Sequence, residues 1–180
     1  MLLAGARPAG RHTEQHDMFF GIGESIKELI PSLLKFWPEG KKNLHIDAWR
    51  EVQNVNQHKV SIVAASDKRD SPVKLFFINL GGYKENEFEE FHYKMIIAAA
   101  SKSEAIAQSK KTAFFRHTGI KGAPSHIDDK YGIDVDDLFQ IEDILSPETK
   151  SQYRILTEPI HAPAPEDEIH LGYFKLSSFK

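Results

Sequence analysis

Histidine and carboxylate side chains recur in short groups along this chain. Glu14-Gln15-His16 is a Glu-x-His pair, and His45-Ile46-Asp47 joins a second histidine to an aspartate. A histidine beside Asp or Glu commonly acts as the acid or base in proton transfer near neutral pH. The same side chains bind zinc, manganese or iron through nitrogen and oxygen. These groups are therefore the first candidates for a functional site.

Both groups occur a second time. An offset of 76 positions (90−14) relates five pairs, which are Gly5 and Gly81, Glu14 and Glu90, His16 and His92, Ser25 and Ser101, and Glu28 and Glu104. The tripeptide His-Ile-Asp also repeats, but 81 positions later (126−45), which indicates an insertion of five residues in the second copy. The candidate ligand-binding residues are accordingly Glu14, His16, His45, Asp47, Glu90, His92, His126 and Asp128.

Three interpretations of these residues stay open. They could line a groove between the two copies in a non-catalytic module that binds a small molecule or a protein partner. They could serve a metal-assisted or acid–base hydrolase through His16, Asp47, His92 and Asp128. They could also be hydrogen-bonded pairs that pin the third strand to the second, since buried polar groups need partners. No complete catalytic signature is present, so the binding module is favoured, and neither a metal site nor a cofactor is assigned.

The weaker motifs have simpler structural explanations. The segment around Gly21 and Gly23 lacks the third glycine of a dinucleotide loop, and a turn before a serine-capped helix explains it. Arg7 and Arg11 could still help that helix start to hold an anion. An acidic stretch that includes Asp136 lacks the EF-hand spacing, and it is expected to be a solvated turn or a cap.

The pattern of apolar residues places these groups on a repeated unit. Each copy opens with an apolar strand ending in glycine, followed by the Glu-x-His strand and a helix that begins at a Ser-x-x-Glu capping box. The His-Ile-Asp tripeptide begins a third strand, and a fourth strand (residues 59–64 in the first copy) is expected to pair with it as a hairpin. The predicted fold is α+β: two pseudo-symmetric ββαββ repeats over residues 1–70 and 71–180, with helices on a mostly antiparallel sheet.

Composition limits the classes of function. The chain of 180 residues has no cysteine, which excludes disulfides, thiolate nucleophiles and iron–sulfur clusters. Its formal charge of −3 offers no basic surface for nucleic acid. No apolar run is long enough for a membrane span, and no secretory signal is evident. We expect a cytoplasmic protein without nucleic-acid or membrane partners, and this expectation leaves room for a homodimer.

Several motifs taken together resemble one uncharacterised family. They are an opening strand ending in Leu3-Ala4-Gly5, a Glu-x-His-Asp sequence before an apolar strand, a helix ending Phe36-Trp37, and Leu44-His45-Ile46-Asp47. The chain is similar in these features to domain-of-unknown-function family 1543, over most of the first copy and into the Gly81-Gly82 and Glu89-x-x-His92 segments. The resemblance implies a bacterial source and supplies neither an activity nor catalytic residues.

Overall fold

The computed structural model describes residues 1–83, 86–118 and 134–179. Within these ranges the strands are β1 (Leu2–Ala6), β2 (Gln15–Phe19), β3 (His45–Trp49), β4 (Asn54–Val55), β5 (His58–Ala64), β6 (Lys74–Tyr83), β7 (Glu90–Ala99), β8 (Asp134–Gln140), β9 (Tyr153–Pro159) and β10 (His170–Lys175). The α-helices are α1 (Ile26–Phe36), α2 (Lys102–Thr118), α3 (Ile141–Ile144) and α4 (Pro147–Gln152). The predicted α+β class is confirmed.

The strands form three antiparallel sheets. Their strand orders are β10-β3-β1-β2, β7-β6-β8 and β4-β5-β9. In the first two sheets a central strand, β1 or β6, lies between the next strand in sequence and the strand that follows a helix. The series β1-β2-α1-β3 and β6-β7-α2-β8 therefore have the same order and the same pairing.

Both long helices begin at the capping boxes that the sequence predicts. At α1 the Ser25 hydroxyl accepts a hydrogen bond from the Glu28 amide at 3.4 Å, and the Glu28 carboxylate accepts one from the Glu24 amide at 3.0 Å. Ser101 and Glu104 make the same two kinds of bond at α2. These bonds satisfy backbone donors that a helix start leaves free.

The predicted hairpin between the third and fourth strands is wrong. β3 pairs with β1 on one side and with the C-terminal strand β10 on the other, so neither edge is free for β5. β5 instead pairs with the short β4 and, along its whole length, with β9. Asn56 and Gln57 adopt positive φ values of 47° and 61°, the conformation of a tight hairpin turn, which returns the chain from β4 into β5. β10 lies at the edge of the first sheet.

Side-chain alternation gives each of the two sheets that pack against a long helix a helix-facing side and a core-facing side. On β1, Leu2 and Ala4 pack in a cluster with α1 residues, whereas Leu3 packs against a central core shared by all three sheets. On β6, Phe76 packs in a cluster with Ala105 of α2, whereas Phe77 lies in that central core. Gly5 and Gly81 alternate in phase with Leu3 and Phe77, so both open the sheet surface that faces away from the helix.

The helices of the described ranges include none that combines the length and apolar character needed to cross a lipid bilayer.

Candidate functional site

Four of the predicted residues come together on the first sheet. We call Glu14, His16, His45 and Asp47 the first cluster. The Nε2 atom of His16 lies 3.1 Å from Oδ2 of Asp47 and 3.8 Å from Oε2 of Glu14. The Nε2 atom of His45 lies 3.2 Å from Oδ1 of Asp47 and 3.3 Å from Oε1 of Glu14. Each histidine therefore faces both carboxylates.

The strand register explains this convergence. Gly5 of β1 is paired with His16 on one neighbouring strand and with His45 on the other, so the two histidines flank it. The pairing of β1 with β3 shifts so that Asp47 has no opposite residue. A bulge of this kind re-aims a side chain, and here it turns the Asp47 carboxylate over Gly5. A Cβ atom at Gly5 would overlap Oδ2 of Asp47 and lie 2.5 Å from Nε2 of His45. Only glycine leaves this space free.

The backbone fixes the proton position on His45. Its Nδ1 atom lies 3.0 Å from the carbonyl oxygen of Asn43. A carbonyl can only accept, so Nδ1 carries the proton, and in the neutral ring Nε2 presents a lone pair. The ring is buried, with 2% of its surface exposed, and it packs against the ring of Tyr173 at 4.1 Å between centroids. His45 is therefore rigidly oriented with Nε2 toward the carboxylates.

The Nε2 atom of His45 has no hydrogen-bond partner, although two carboxylate oxygens are close. The Oδ2 atom of Asp47 is also buried and accepts no hydrogen bond, and Nε2 of His16 lies 3.1 Å from it. A lone pair that faces carboxylate oxygens is repelled by them, and burial removes the water that would screen the repulsion. With a neutral His45 ring, the first cluster thus contains a buried nitrogen lone pair beside two carboxylates, and with a protonated ring the same contacts are ion pairs.

Asn43 ties the cluster to the end of β1. Its side-chain oxygen accepts from the Arg7 amide at 3.3 Å, and its side-chain nitrogen donates to the Arg7 carbonyl at 2.9 Å. The Asn43 carbonyl thereby holds a fixed place beside His45. Sequence reasoning missed Asn43 and Tyr173, because neither residue type marks a site until the fold brings it against the histidine.

A second cluster occupies the matching place on the second sheet. Its members are Glu90 and His92 of β7 and Asp136 of β8. The Nε2 atom of His92 lies 3.4 Å from Oδ2 of Asp136 and 3.9 Å from Oε2 of Glu90, and one ligand atom from each residue lies within 4.8 Å of the others. Gly81 lies beneath them as Gly5 does in the first cluster, because a Cβ there would overlap the Asp136 carboxylate.

Asp136 occupies in the second sheet the place that Asp47 has in the first. β8 begins at Asp134 opposite Gly81, and its pairing with β6 shifts at Asp136 just as β3 shifts at Asp47. The offset between the two aspartates is 89 positions (136−47) and not the 81 predicted. His126 and Asp128 lie outside the described residues. A search for a polar residue, a β-branched residue and an aspartate in succession would have identified Asp136 in the sequence.

The remaining predicted residues do not join the clusters. At the start of α1 the amides of Glu24 and Glu28 donate to the Glu28 and Ser25 side chains, and no described contact brings Arg7 or Arg11 to this helix start as the expected anion site would require. It stays a prediction. Within the described ranges, no ion pair or hydrogen bond connects one cluster to the other.

A cavity with mostly apolar walls lies away from both clusters. It has a volume of about 840 Å³, and its walls include Phe20, Val60 and Ile155, which come from both halves of the chain. Arg50 also lines it, and the buried Nε atom of this residue has no hydrogen-bond partner. Burial, with a contribution from the Arg50 charge, lowers the pKa of the nearby Met1 amino group to about 6. No residue of either cluster lines this cavity.

A protein-family model matches the segment of the chain that contains the first cluster. Residues 11–62 match the family model described as Domain of Unknown Function (DUF1543). The resemblance expected from the sequence is therefore confirmed for this segment, which contains all four residues of the first cluster. No curated protein matches the chain.

One solved structure has a similar fold. It is titled crystal structure of a protein Il1583 from Idiomarina loihiensis, and it is similar to this chain with a TM-score of 0.63 at 19% sequence identity. The similarity covers 97% of this chain and 94% of that one. At this identity the comparison establishes the fold alone.

Proposed function

We propose that this protein is a non-catalytic binding module and that its first cluster holds one divalent transition-metal ion. The observation that carries the proposal is the Nε2 atom of His45, which is buried, directed at two carboxylates and without a hydrogen bond of its own. A cation between these atoms converts the repulsion into attraction, because the nitrogen lone pair and the carboxylate oxygens are all metal ligands.

The separations within the first cluster support this proposal. Adjacent ligand atoms bonded about 2.0–2.2 Å from one ion lie about 2.8–3.6 Å apart in octahedral or tetrahedral geometry. Three of the four nitrogen-to-oxygen separations, at 3.1, 3.2 and 3.3 Å, fall in this range and involve both oxygens of Asp47. The four side chains must close in around an ion, because among the described residues only the second cluster already has one ligand atom from each of three residues within 4.8 Å of one another. The hydrogen bond from Nδ1 of His45 to the Asn43 carbonyl is also the outer contact that metal-binding histidines usually make.

The ligand set indicates which ions would bind. Two imidazole nitrogens with two carboxylates suit Zn²⁺, Fe²⁺, Co²⁺ or Mn²⁺, whereas Ca²⁺ and Mg²⁺ prefer oxygen ligands alone. Glu14 and His16 are each more than 40% exposed, so the outer side of the cluster is open to water. Catalytic metal sites keep such an open position, and this favours the metal-assisted hydrolase as the alternative to a binding-only role.

A purely structural role makes a different prediction. It requires a doubly protonated His45 that donates from Nε2 to a carboxylate, and loss of the imidazole would cost about 1–3 kcal/mol of stability through orphaned buried partners. The described geometry contains no such hydrogen bond at Nε2. A structural pair would also be indifferent to chelators, which separates the two explanations by experiment.

The test is calorimetric titration of chelator-treated protein with ZnCl₂ and with MnCl₂. His16→Ala removes an exposed ligand with little risk to folding, and His12→Ala removes a neighbouring exposed histidine outside the cluster as the matched control. We expect the tighter binding event of the native protein to weaken at least about 100-fold in His16→Ala and to be unchanged in His12→Ala. Equal binding by all three proteins, or none, would refute the proposal.

We also propose that the two halves are fused copies of one ββαββ unit. Several features support this: the matching strand orders, the two capping boxes, and an aspartate on a bulge above a glycine in each sheet. β5 and β9, the fourth strands of the two units, pair with each other, as expected of an interface that a dimer would form between identical copies.

A cytoplasmic location accords with the absence of cysteine.

Small-molecule binding is a second candidate function, favoured by the cavity beside Arg50. Cavities of about 300–1,000 Å³ with apolar walls and a few polar groups are typical ligand sites. An amphipathic carboxylate would place its charge at Arg50 and its tail among the apolar walls. Thermal unfolding with decanoate and with decylamine tests this, because only the carboxylate should raise the melting temperature, and Arg50→Met should abolish the rise.

A further inference from the structure

We infer that Glu90, His92 and Asp136 form a second metal site, weaker than the first and more favourable to Mn²⁺. This inference rests on the proposed function of the first cluster. The inference extends metal binding to residues on another sheet. One of them, Asp136, was not among the candidate ligand-binding residues chosen from the sequence.

The local architecture is the same in both places. In each sheet a glycine on the central strand opens a gap, a Glu-x-His pair approaches it from one neighbouring strand, and an aspartate on a bulge covers it from the other. At Gly81 the space that a Cβ would fill is occupied by both oxygens of the Asp136 carboxylate. One donor atom from each of the three residues lies within a 4.8 Å group, which is compact enough for one ion.

Asn79 offers a buried side-chain oxygen on the same strand as Gly81. It is 8% exposed, and its side-chain oxygen has no hydrogen-bond partner among the described residues. Its side-chain nitrogen donates to the Asp137 carboxylate at 3.1 Å, which leaves the oxygen as the unsatisfied atom. Asn79 lies two residues from Gly81 on β6, so both lie on the same face of the sheet as the second cluster. An amide oxygen is a ligand that hard cations accept.

The two sites should differ in strength and preference. The position of His45 is taken in the second sheet by Asp134, so the second cluster has one imidazole where the first has two. Its ligands are also all partly exposed, at 33–41% of their side-chain surface, against 2% for His45. Fewer nitrogens, more oxygens and more water favour Mn²⁺ relative to Zn²⁺ and lower the affinity for both.

The experiment compares the number of ions bound in three proteins: the native chain, His16→Ala and the nearly isosteric Asp136→Asn. Mn²⁺ titration followed by electron paramagnetic resonance counts bound and free ion directly. We expect two bound ions in the native protein, loss of the tighter one in His16→Ala, and loss of the weaker one in Asp136→Asn, with that site weakened at least about tenfold.

The possible results separate the two proposals. One ion that is lost in His16→Ala and retained in Asp136→Asn would overturn the second site and leave the first intact. The absence of any bound ion in the native protein would overturn both. Two ions in Asp136→Asn with unchanged affinities would also contradict the second site, because the carboxylate charge at Asp136 would then be irrelevant to binding.

Discussion

Replacement of Gly5 by alanine should disrupt the first cluster without removing any of its ligands. The added Cβ would overlap the Asp47 carboxylate and lie 2.5 Å from Nε2 of His45, so both side chains must move by an appreciable fraction of an ångström or more. His45 cannot move easily, because it is buried against Tyr173 and bonded to the Asn43 carbonyl. Overpacking of this kind costs about 1–3 kcal/mol, and we expect the free energy of unfolding without metal to fall by that amount.

The loss of metal stabilisation should add to this cost. An ion at about one hundred times its dissociation constant raises the unfolding free energy by about 2.7 kcal/mol. The assay is urea unfolding with Zn²⁺ and with a chelator. The native protein should gain stability from Zn²⁺, whereas Gly5→Ala should lose most of that gain. Gly10→Ala is the control, because this exposed glycine has no neighbour within 4 Å of its added Cβ and only its φ of +81° is strained.

The reasoning is refuted if Gly5→Ala keeps both its stability and its response to Zn²⁺. It is also refuted if Gly10→Ala loses the response equally, because the effect would then have nothing to do with the space above Gly5.

Two further predictions concern contacts away from the clusters. Thr157→Val should lower the unfolding free energy by about 1–3 kcal/mol in urea, because the buried Thr157 hydroxyl lies 2.6 Å from both the Ser71 hydroxyl and the Val73 carbonyl; an unchanged midpoint would contradict this. Asp67→Asn should lower the melting temperature at neutral pH, since hydrogen bonds from Arg69 hold the pKa of Asp67 below its ordinary value of 3.8. A carboxylate with a depressed folded-state pKa stabilises above its unfolded pKa and ceases to do so as the pH falls through the folded one, so the difference between native protein and variant should shrink as the pH falls below 3.8. A difference that persists at the most acidic pH would contradict it.

Local sequence signals predicted the helices and the first cluster well. Ser25 with Glu28 and Ser101 with Glu104 act over three residues, so the amino acids themselves determine the caps. The Glu-x-His pair is also local, because alternation along a strand puts both side chains on one face.

The strand pairing could not be predicted in the same way. β5 pairs with β9, which lies roughly ninety residues later, and β10 returns to pair with β3. Such contacts depend on which edges are left free once the whole chain has folded, and no short pattern records this.

The aspartate of the second cluster is one that the sequence repeat did not mark. The repeated His-Ile-Asp tripeptide directed attention to Asp128, yet the bulge opposite Gly81 carries Asp136. What the site requires is a carboxylate at a register position, and the length of the insertion before β8 decides which residue reaches it.

The most direct test of the metal-binding claim is anomalous diffraction from crystals of the native protein grown with Zn²⁺. We predict a peak about 2.0–2.2 Å from Nε2 of His16 and Nε2 of His45, with oxygens of Glu14 and Asp47 completing the coordination. The claim is contradicted if no peak lies between these residues and Nε2 of His45 instead donates a hydrogen bond to one of the two carboxylates.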